Sequence, residues 1–354
     1  MSALDHGYSA EIDSIDKAGW EDLMARFEDA SYHQTWSFGA LHAGEKAISH
    51  LVLKTNGQVT GMAQARLLRF PGLRIGLAYV SSGPMYRIKG VPPQPDALQN
   101  LLRALCLEYV LRRGYFLRVL PNKIDSGEDA AHRGLYEKEG YSLGRDPRQT
   151  VIVDLSRSLD EIRKNMDRKW RQTLQAAERR HLALVEGDGE EIYEMAMKLI
   201  GEMKNRKGFL GGNQGEALRV HRDLPPSQRL RFLVCVDEQE PVAVLGWTTT
   251  GSVGLPLVAA TGTRALKTNA SYVLWWKMIE YYKANGFLAV DMGGINQKRN
   301  PGGYYFKTHI LGKRLHEQPH YLGPFDACNN GLSRLFFIAA NQTRQALQDV
   351  RALV

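Results

Sequence analysis

Cysteine is scarce in this chain. Cys106, Cys235 and Cys328 are the only three in 354 residues. They stand too far apart for a metal-ligand pair or a disulfide framework, which fits a reducing compartment. Long apolar runs are missing too: no stretch approaches the ~18 continuous apolar residues of a membrane span. The opening MSALDHGYSAEIDSID lacks a basic segment followed by an apolar one, so no signal peptide is expected and the expected location is the cytoplasm. Ordinary catalytic signatures are also absent. There is no Gly-x-Ser-x-Gly, no His-Glu-x-x-His, no Walker loop and no Cys-x-x-Cys. Neither a metal nor a bound cofactor is expected.

Acidic residues are in deficit, with 38 Asp and Glu against 46 Lys and Arg, a net charge of +8. That favours anionic partners: RNA, nucleotide-sugar phosphates or, through peripheral contact, an inner-membrane surface. DNA is not among the expected partners. Charge alone is equally compatible with a basic but indifferent surface. The 44% apolar and 24% charged content is that of a globular protein, and the length exceeds one typical core, so two domains are expected.

A hidden repeat supports that division. Ile48 to Leu53, the turn Thr55-Asn56-Gly57-Gln58 and Val59 to Leu68 read as strand, tight turn, strand. Leu73 to Val80 is a third strand. A helix of roughly Asp96 to Arg113 follows, with Leu98, Leu101, Leu102 and Leu105 at helical spacing and Gly114 as its stop. Tyr115 to Leu120 is then a short strand. The same order returns in Arg231 to Val236, Val242 to Thr248, Val253 to Ala260, a helix from Asn269 to Ala284, and Phe287 to Asp291. The order β-turn-β-β-α-β, occurring twice, points to duplicated domains. It is also the core order of the acetyltransferase superfamily. The expected fold class is α/β (α+β): two tandem acetyltransferase (GNAT)-like domains, each a mixed sheet flanked by helices. The first domain is placed at 1–150, with a C-terminal helix in 320–354 packing back on it. The second, with the candidate active site, is placed at 151–319.

Between the halves, Ser158-Leu159-Asp160-Glu161 is a capping box that opens a helix. Leu159, Ile162, Met166, Trp170, Leu174 and Ala177 share one face of it. Arg163, Lys164, Arg168, Lys169, Arg171, Arg179 and Arg180 share the other. Such a face suits contact with tRNA or other phosphates, or is simply a solvated outer surface. Gly208 to Gly212 reads as a flexible loop. The most unusual stretch is Asp291-Met-Gly-Gly-Ile-Asn296 through Asn300-Pro-Gly-Gly-Tyr-Tyr-Phe-Lys307. A strand ends on a carboxylate, two glycines let the backbone turn sharply or approach a ligand, an Asn-Pro-Gly-Gly turn is expected, and aromatics and a lysine follow.

This last segment resembles the C-terminal signature of the FemABX family, the aminoacyl-tRNA-dependent peptidoglycan-bridge aminoacyltransferases. Tyr32-His-Gln34-Thr-Trp36, Ser82-Gly-Pro84 and Met203-Lys-Asn-Arg206-Lys-Gly-Phe209 match the family more weakly, and together the matches span about residues 30 to 313. The resemblance implies transfer of an aminoacyl group from tRNA to the side-chain amine of a UDP- or lipid-linked muropeptide precursor. It implies that Lys307, with Asp291 beside it, is catalytic, and that Arg206 binds precursor phosphates. Trp36, Tyr304, Tyr305, Gly293, Gly294 and Asn296 complete the candidate substrate-binding set. Two departures stand out. Trp36 is followed by Ser37-Phe38-Gly39-Ala40 rather than the family's phosphate-binding lysine, and the helical-hairpin arm of some members is absent.

Two other readings remain open at this point. One is an N-acyltransferase using acyl-CoA or another acyl donor on an envelope glycan or lipid. The glycine-poor segment Thr261 to Ala270 argues against ordinary CoA binding, although Arg264 and Lys267 are placed to serve a phosphate. The other is a non-catalytic binder of RNA or an anionic precursor.

Overall fold

The computed structural model describes residues 3–353 apart from 93, 126–128, 146–148, 208–213, 299 and 315–319. The strands are β1 (Tyr8–Ile12), β2 (Ile48–Thr55), β3 (Gln58–Arg69), β4 (Gly76–Ser81), β5 (Phe116–Leu120), β6 (Ile124–Asp125), β7 (Ser142–Leu143), β8 (Ile152–Asp154), β9 (Ala183–Gly187), β10 (Arg231–Asp237), β11 (Glu240–Thr248), β12 (Val253–Thr261), β13 (Ala289–Asp291), β14 (His320–Tyr321) and β15 (Phe325–Ala327). The α-helices are α1 (Lys17–Met24), α2 (Trp36–Ala43), α3 (Pro95–Leu105), α4 (Ala130–Lys138), α5 (Leu159–Asn165), α6 (Arg168–Glu178), α7 (Glu190–Lys207), α8 (Gln214–Asp223), α9 (Ala265–Thr268), α10 (Ala270–Ala284), α11 (Pro301–Thr308) and α12 (Gly331–Leu353). The chain divides into two compact units, residues 1–148 with 320–353, and residues 149–319. The segment 208–212 lies outside the described residues.

Unit 1 is built on a seven-stranded sheet of order β1-β2-β3-β4-β5-β15-β7. The Asn56-Gly57 turn has positive φ at both residues, 50° and 80°, which matches the twist of the flanking strands and closes the β2–β3 hairpin. One face packs Leu51, Leu53, Ala63 and Ala65 against Leu98, Leu101 and Leu102 of α3. The other packs Val52 and Met62 against Trp20, Met24 and Phe27, and α12 lays Phe337 on Phe116 of β5 with ring centroids 4.1 Å apart. The crossover continues from α3 as a π-helix, Cys106–Arg112, and Gly114 follows it at φ +73°.

Unit 2 has a six-stranded sheet of order β8-β13-β12-β11-β10-β9. Leu233, Cys235, Leu245 and Trp247 face α6 and α10 through Trp170, Leu174, Leu274 and Met278. The opposite face is covered by α7 and α8. The two sheets share a frame: three antiparallel strands, a helical crossover, then one parallel strand. Each is completed by an antiparallel strand that the chain supplies from beyond the other unit's core. β8 follows the first core and pairs with β13. β15 follows the second core and pairs with β5.

Three expectations need correction. The helix opening at Ser158 is two helices: the capping box forms as expected, but the chain breaks at Met166, whose ψ is 153°. Asp167 starts α6 by accepting from the amides of Lys169 and Trp170 at 2.8 and 3.3 Å. The break is enforced by a close approach, since a Cβ on Gly312 would lie 1.9 Å from the Asn165 carbonyl oxygen. The Asn-Pro-Gly-Gly segment is the start of α11 rather than a free turn. Asn300 caps it by accepting from the Gly303 amide at 3.0 Å, and Pro301 sits at the first helical position, where no backbone N–H is needed. Thr261 to Ala270 contains the extra helical turn α9, which leads into α10 through Asn269 at φ +58°.

Candidate active site at the carboxyl ends of β12 and β13

The parallel pair of unit 2 separates almost at once. β12 and β13 pair only at Val253↔Ala289 and Gly254↔Val290, and β12 then runs on to Thr261. Two local features interrupt β12 just beyond this point, the second of them on its β11 edge. Pro256 lacks a backbone donor for any ladder. Tyr282 of α10 also intrudes where Thr248 of β11 faces Leu255 of β12. Its hydroxyl donates to the Thr248 carbonyl at 2.6 Å and accepts from the Leu255 amide at 3.0 Å, so a side chain bridges groups that the ladder otherwise joins directly. Gly254 makes room for it, since a Cβ there would stand 2.3 Å from the Tyr282 ring.

At the end of β13, Asp291 is 3% exposed. One carboxylate oxygen accepts the Thr150 hydroxyl and the Gly293 amide, the latter at 2.8 Å. A buried carboxylate needs such donors. The loop beyond it is held along the segment preceding β8, because Met292 N–H donates to Val151 O at 2.8 Å and Ile295 N–H to Gln149 O at 3.2 Å. Gly293 sits at φ +80°, a conformation favoured for glycine, and a Cβ there would lie 3.3 Å from the Lys307 ammonium. Gly294 is exposed.

Lys307 approaches this loop from the last turn of α11. Its ammonium donates to the Gly294 carbonyl at 3.2 Å. Removal from water pushes its pKa below the ordinary lysine value, and the negative charge of Asp291 opposes that shift. α11 is fixed by packing: Trp170 Nε1 donates to the Phe306 carbonyl at 3.1 Å, and the Phe306 ring meets Trp170, Tyr272 and Trp275 with centroids 5.0 to 5.7 Å apart. Tyr304 and Tyr305 share the helix, and Tyr305 is 52% exposed. Asn296 is exposed on the loop, and its carbonyl accepts from the Asn300 amide at 3.0 Å.

Arg206, near the end of α7, marks the carboxyl end of β12. One guanidinium nitrogen donates to the Thr261 carbonyl at 2.8 Å and to its hydroxyl at 3.2 Å. The other terminal nitrogen is buried without a partner among the described residues. A carboxylate and an ammonium thus stand together at the carboxyl end of β13, where open α/β sheets bind ligands. The Arg206 guanidinium stands apart at the end of β12, six residues beyond the position level with Asp291.

The remaining candidates are dispersed. Arg163 pairs with Glu178 and lies 5.5 Å from the Trp276 ring centroid. Arg171 donates to the carbonyls of Lys164 and Met166 at 2.8 and 3.4 Å, bracing the α5–α6 break. Lys164, Arg168 and Lys169 are exposed. Arg264 is held by Asp237 and Glu238 of the β10–β11 turn, and Lys267 is exposed. Trp36 belongs to unit 1, stacked on His50 with centroids 4.0 Å apart and donating from Nε1 to Glu45 at 2.8 Å. The sequence reading missed Thr150, Thr261 and Tyr282. Only Thr150 left a readable trace, as the residue opening the β-branched run Thr150-Val151-Ile152-Val153.

Unit 2 has the fold of an acetyltransferase (GNAT) domain. The acetyltransferase (GNAT) domain family model matches residues 160–308. A lipid II:glycine glycyltransferase of Staphylococcus aureus is 29% identical over 202 residues, covering 53% of this chain and 46% of that protein. The chain therefore spans about half the length of the curated relatives it matches. Among solved structures, FemX superposes with a TM-score of 0.74 at 14% identity, over 93% of this chain and 99% of FemX. A conserved Bacteroides thetaiotaomicron protein of unknown function superposes with a TM-score of 0.58 at 12% identity, over 91% and 100% of the two chains. The chain thus resembles the lipid II:glycine glycyltransferase in sequence and FemX in fold.

Proposed function

We propose that this protein is an aminoacyltransferase that moves an aminoacyl group from aminoacyl-tRNA to the side-chain amine of a peptidoglycan precursor, UDP- or lipid-linked. The observation that carries the reading is the Lys307 ammonium, fixed against Gly294 beside the open seam of unit 2. Attack by a neutral amine on the ester carbonyl forms a C–N bond and a tetrahedral oxyanion. Lys307 has three N–H bonds, one committed to Gly294, and an enclosed ammonium stabilises such an oxyanion more strongly than a solvated one. Collapse breaks the C–O bond to the tRNA ribose. The proton shed by the amine is taken up by the ribose oxygen, so no protein base is required. Arg206 offers a planar fork for a precursor phosphate. Exposed Lys164, Arg168 and Lys169 offer the tRNA backbone positive charge.

The Staphylococcus aureus relative, named as a glycyltransferase on lipid II, supports the acceptor class. The start of α10 supports tRNA over CoA as donor: α9 occupies the preceding turn, Ala265, Thr268 and Ala270 are buried, and no glycine-rich cradle opens there. The test offers labelled aminoacyl-tRNA and labelled acetyl-CoA separately to the purified protein with a muropeptide precursor. Label should move from tRNA and should be lost with Lys307→Ala. Label moving only from acetyl-CoA, or wild-type transfer by Lys307→Ala, overturns the reading.

A further inference from the structure

One surface of unit 1 is apolar where a water-facing surface should be polar. The β3–β4 hairpin presents Leu68, Phe70 and Leu73, and the neighbouring α12 presents Leu332, Leu335 and Ile338; each is between 43% and 64% exposed. On α12 these residues recur every three positions, on the side away from buried Ser333. The outer stripe of a terminal helix is thus apolar, the reverse of the usual pattern.

The two elements form one fixed surface. The Phe70 and Phe336 rings meet edge to face at 4.9 Å. Asn330, just before α12, donates to the carbonyls of Arg74 and Gly114 at 2.8 and 3.1 Å. Ser333 accepts from the Gly76 amide at 3.2 Å and donates to Gly114 at 2.7 Å. The hairpin tip Phe70-Pro71-Gly72-Leu73 therefore stands braced against the helix.

Charge identifies the occupant. The tip is flanked by Arg69 and Arg74, and Arg334 lies on the exposed side of α12. From Lys46 to Pro95 the chain holds seven Lys and Arg and no Asp or Glu. A protein partner with an apolar patch does not demand that imbalance, whereas an anionic bilayer rewards both features. Apolar side chains enter the acyl boundary while arginines stay at the headgroups.

We propose that the β3–β4 hairpin tip and the outer face of α12 dock this protein peripherally on anionic phospholipid bilayers. This holds whether or not the transfer reading is correct, since it uses neither Lys307 nor unit 2.

The test is co-sedimentation of the full chain with phosphatidylcholine vesicles, with and without 30% phosphatidylglycerol, alongside the variant Phe70→Asp/Leu73→Asp/Leu335→Asp. The chain should bind the anionic vesicles at least tenfold more tightly than the neutral ones, and binding should weaken with salt. The variant should lose at least tenfold. An unchanged thermal melt checks its fold, and Leu73→Asp/Leu335→Asp, which spares the Phe70–Phe336 contact, should weaken binding as well. Leu73→Trp should give a blue-shifted emission with anionic vesicles only. Equal binding of variant and wild type overturns the proposal, as does absence of binding to either vesicle. So does a wild-type dimer that the variant converts to monomer without vesicles, which would make this face a self-interface.

Discussion

The two sheets share an order of strands and differ at one seam. In unit 1, β4 and β5 pair over five residues, from Leu77↔Phe116 to Ser81↔Leu120. The Gly83 amide then prolongs the contact by donating to Leu120 O at 3.0 Å. In unit 2 the equivalent strands pair over two residues. The closed seam ends on an apolar residue, Leu120, and the open one on a buried carboxylate, Asp291. A buried Gln34 reinforces the closed side, donating to Ser81 O at 2.8 Å and Gln64 O at 3.2 Å and accepting from Gln64 N–H at 2.7 Å. Backbone groups that lose a ladder partner must be satisfied otherwise. Unit 1 closes the parallel ladder and Gln34 ties β3 to β4, while in unit 2 the parallel ladder stops after two residues and the Tyr282 hydroxyl bridges β11 and β12. The two sheets thus share an order of strands, and the site of the proposed transfer lies on the open one.

The sharpest way to break this comparison is at the ammonium. Lys307→Met should lower the transfer rate about 10²–10³-fold, the usual cost of removing one oxyanion donor, with binding of precursor little changed. Stability should respond in the opposite sense. The pKa of Lys307 is lowered in the folded protein, so the unfolded chain binds more protons between that value and 10.5, and wild-type stability rises with pH across this window. Lys307→Met should therefore be more stable than wild type at neutral pH, with the gap narrowing in alkali. Wild-type activity should fall on the alkaline side below the ordinary lysine range. Paired melts and rate profiles decide this, and an unstable, fully active variant would sink it.

A smaller effect is expected at Arg206. Arg206→Lys keeps the charge but loses the fork that reaches Thr261 while presenting a second nitrogen. KM for the phosphorylated precursor should rise on the order of tenfold, matching the loss of one charged hydrogen bond, with kcat nearly constant. A fall in kcat alone would place Arg206 in the chemistry instead.

Tyr282→Phe probes the β11–β12 edge beside the seam. It removes the bridge between Thr248 and Leu255 and leaves the Thr248 carbonyl and the Leu255 amide without that partner. The expected cost is about 1–3 kcal/mol, read as a lowered melting temperature. If the strands instead rejoin, stability is retained and the amide of Leu255 gains exchange protection.

How much of this was legible in the sequence follows from the range of each interaction. The repeated strands were readable because alternation and the Asn56-Gly57 turn are local signals. The exchange of β8 and β15 was not. A three-residue strand carries no usable period, and the Thr150–Asp291 contact joins residues 141 apart. The break at Met166 was hidden because its apolar residues keep helical spacing through it: Ile162, Met166, Trp170 and Leu174 are all buried as a single helix would require. Asp167 alone marked the new start. Lys307 was picked out by family resemblance, whereas its setting came from Asn300 and Pro301, a cap and first-turn pair that also reads as a turn. Gln34, two residues before the candidate substrate contact Trp36, is a buried tie between strands.

The smallest expected effect separates the units by pH. Burial holds the His50 pKa down at about 4, and His132 at about 4 for the same reason. Between those values and 6.5 the unfolded chain binds more protons, so each histidine removes stability as pH falls, about 2 kcal/mol at pH 5 for buried His50 and less for the partly exposed, solvent-screened His132. Asp29 works in reverse. Burial raises its pKa to about 6, the folded state binds the extra proton, and it returns about 1 kcal/mol at pH 5. All three lie in unit 1. In unit 2, His221 is also shifted down by burial, adding a dependence of the same sign there. His50→Gln should therefore remove most of the acid sensitivity of unit 1, because His132 and Asp29 then nearly cancel, and leave unit 2 unchanged. Hydrogen exchange at pH 6.5 and pH 5, read separately for the amides of the two units, measures both slopes. A variant that flattens neither, or both together, would mean that the closed and open sheets do not unfold as independent units.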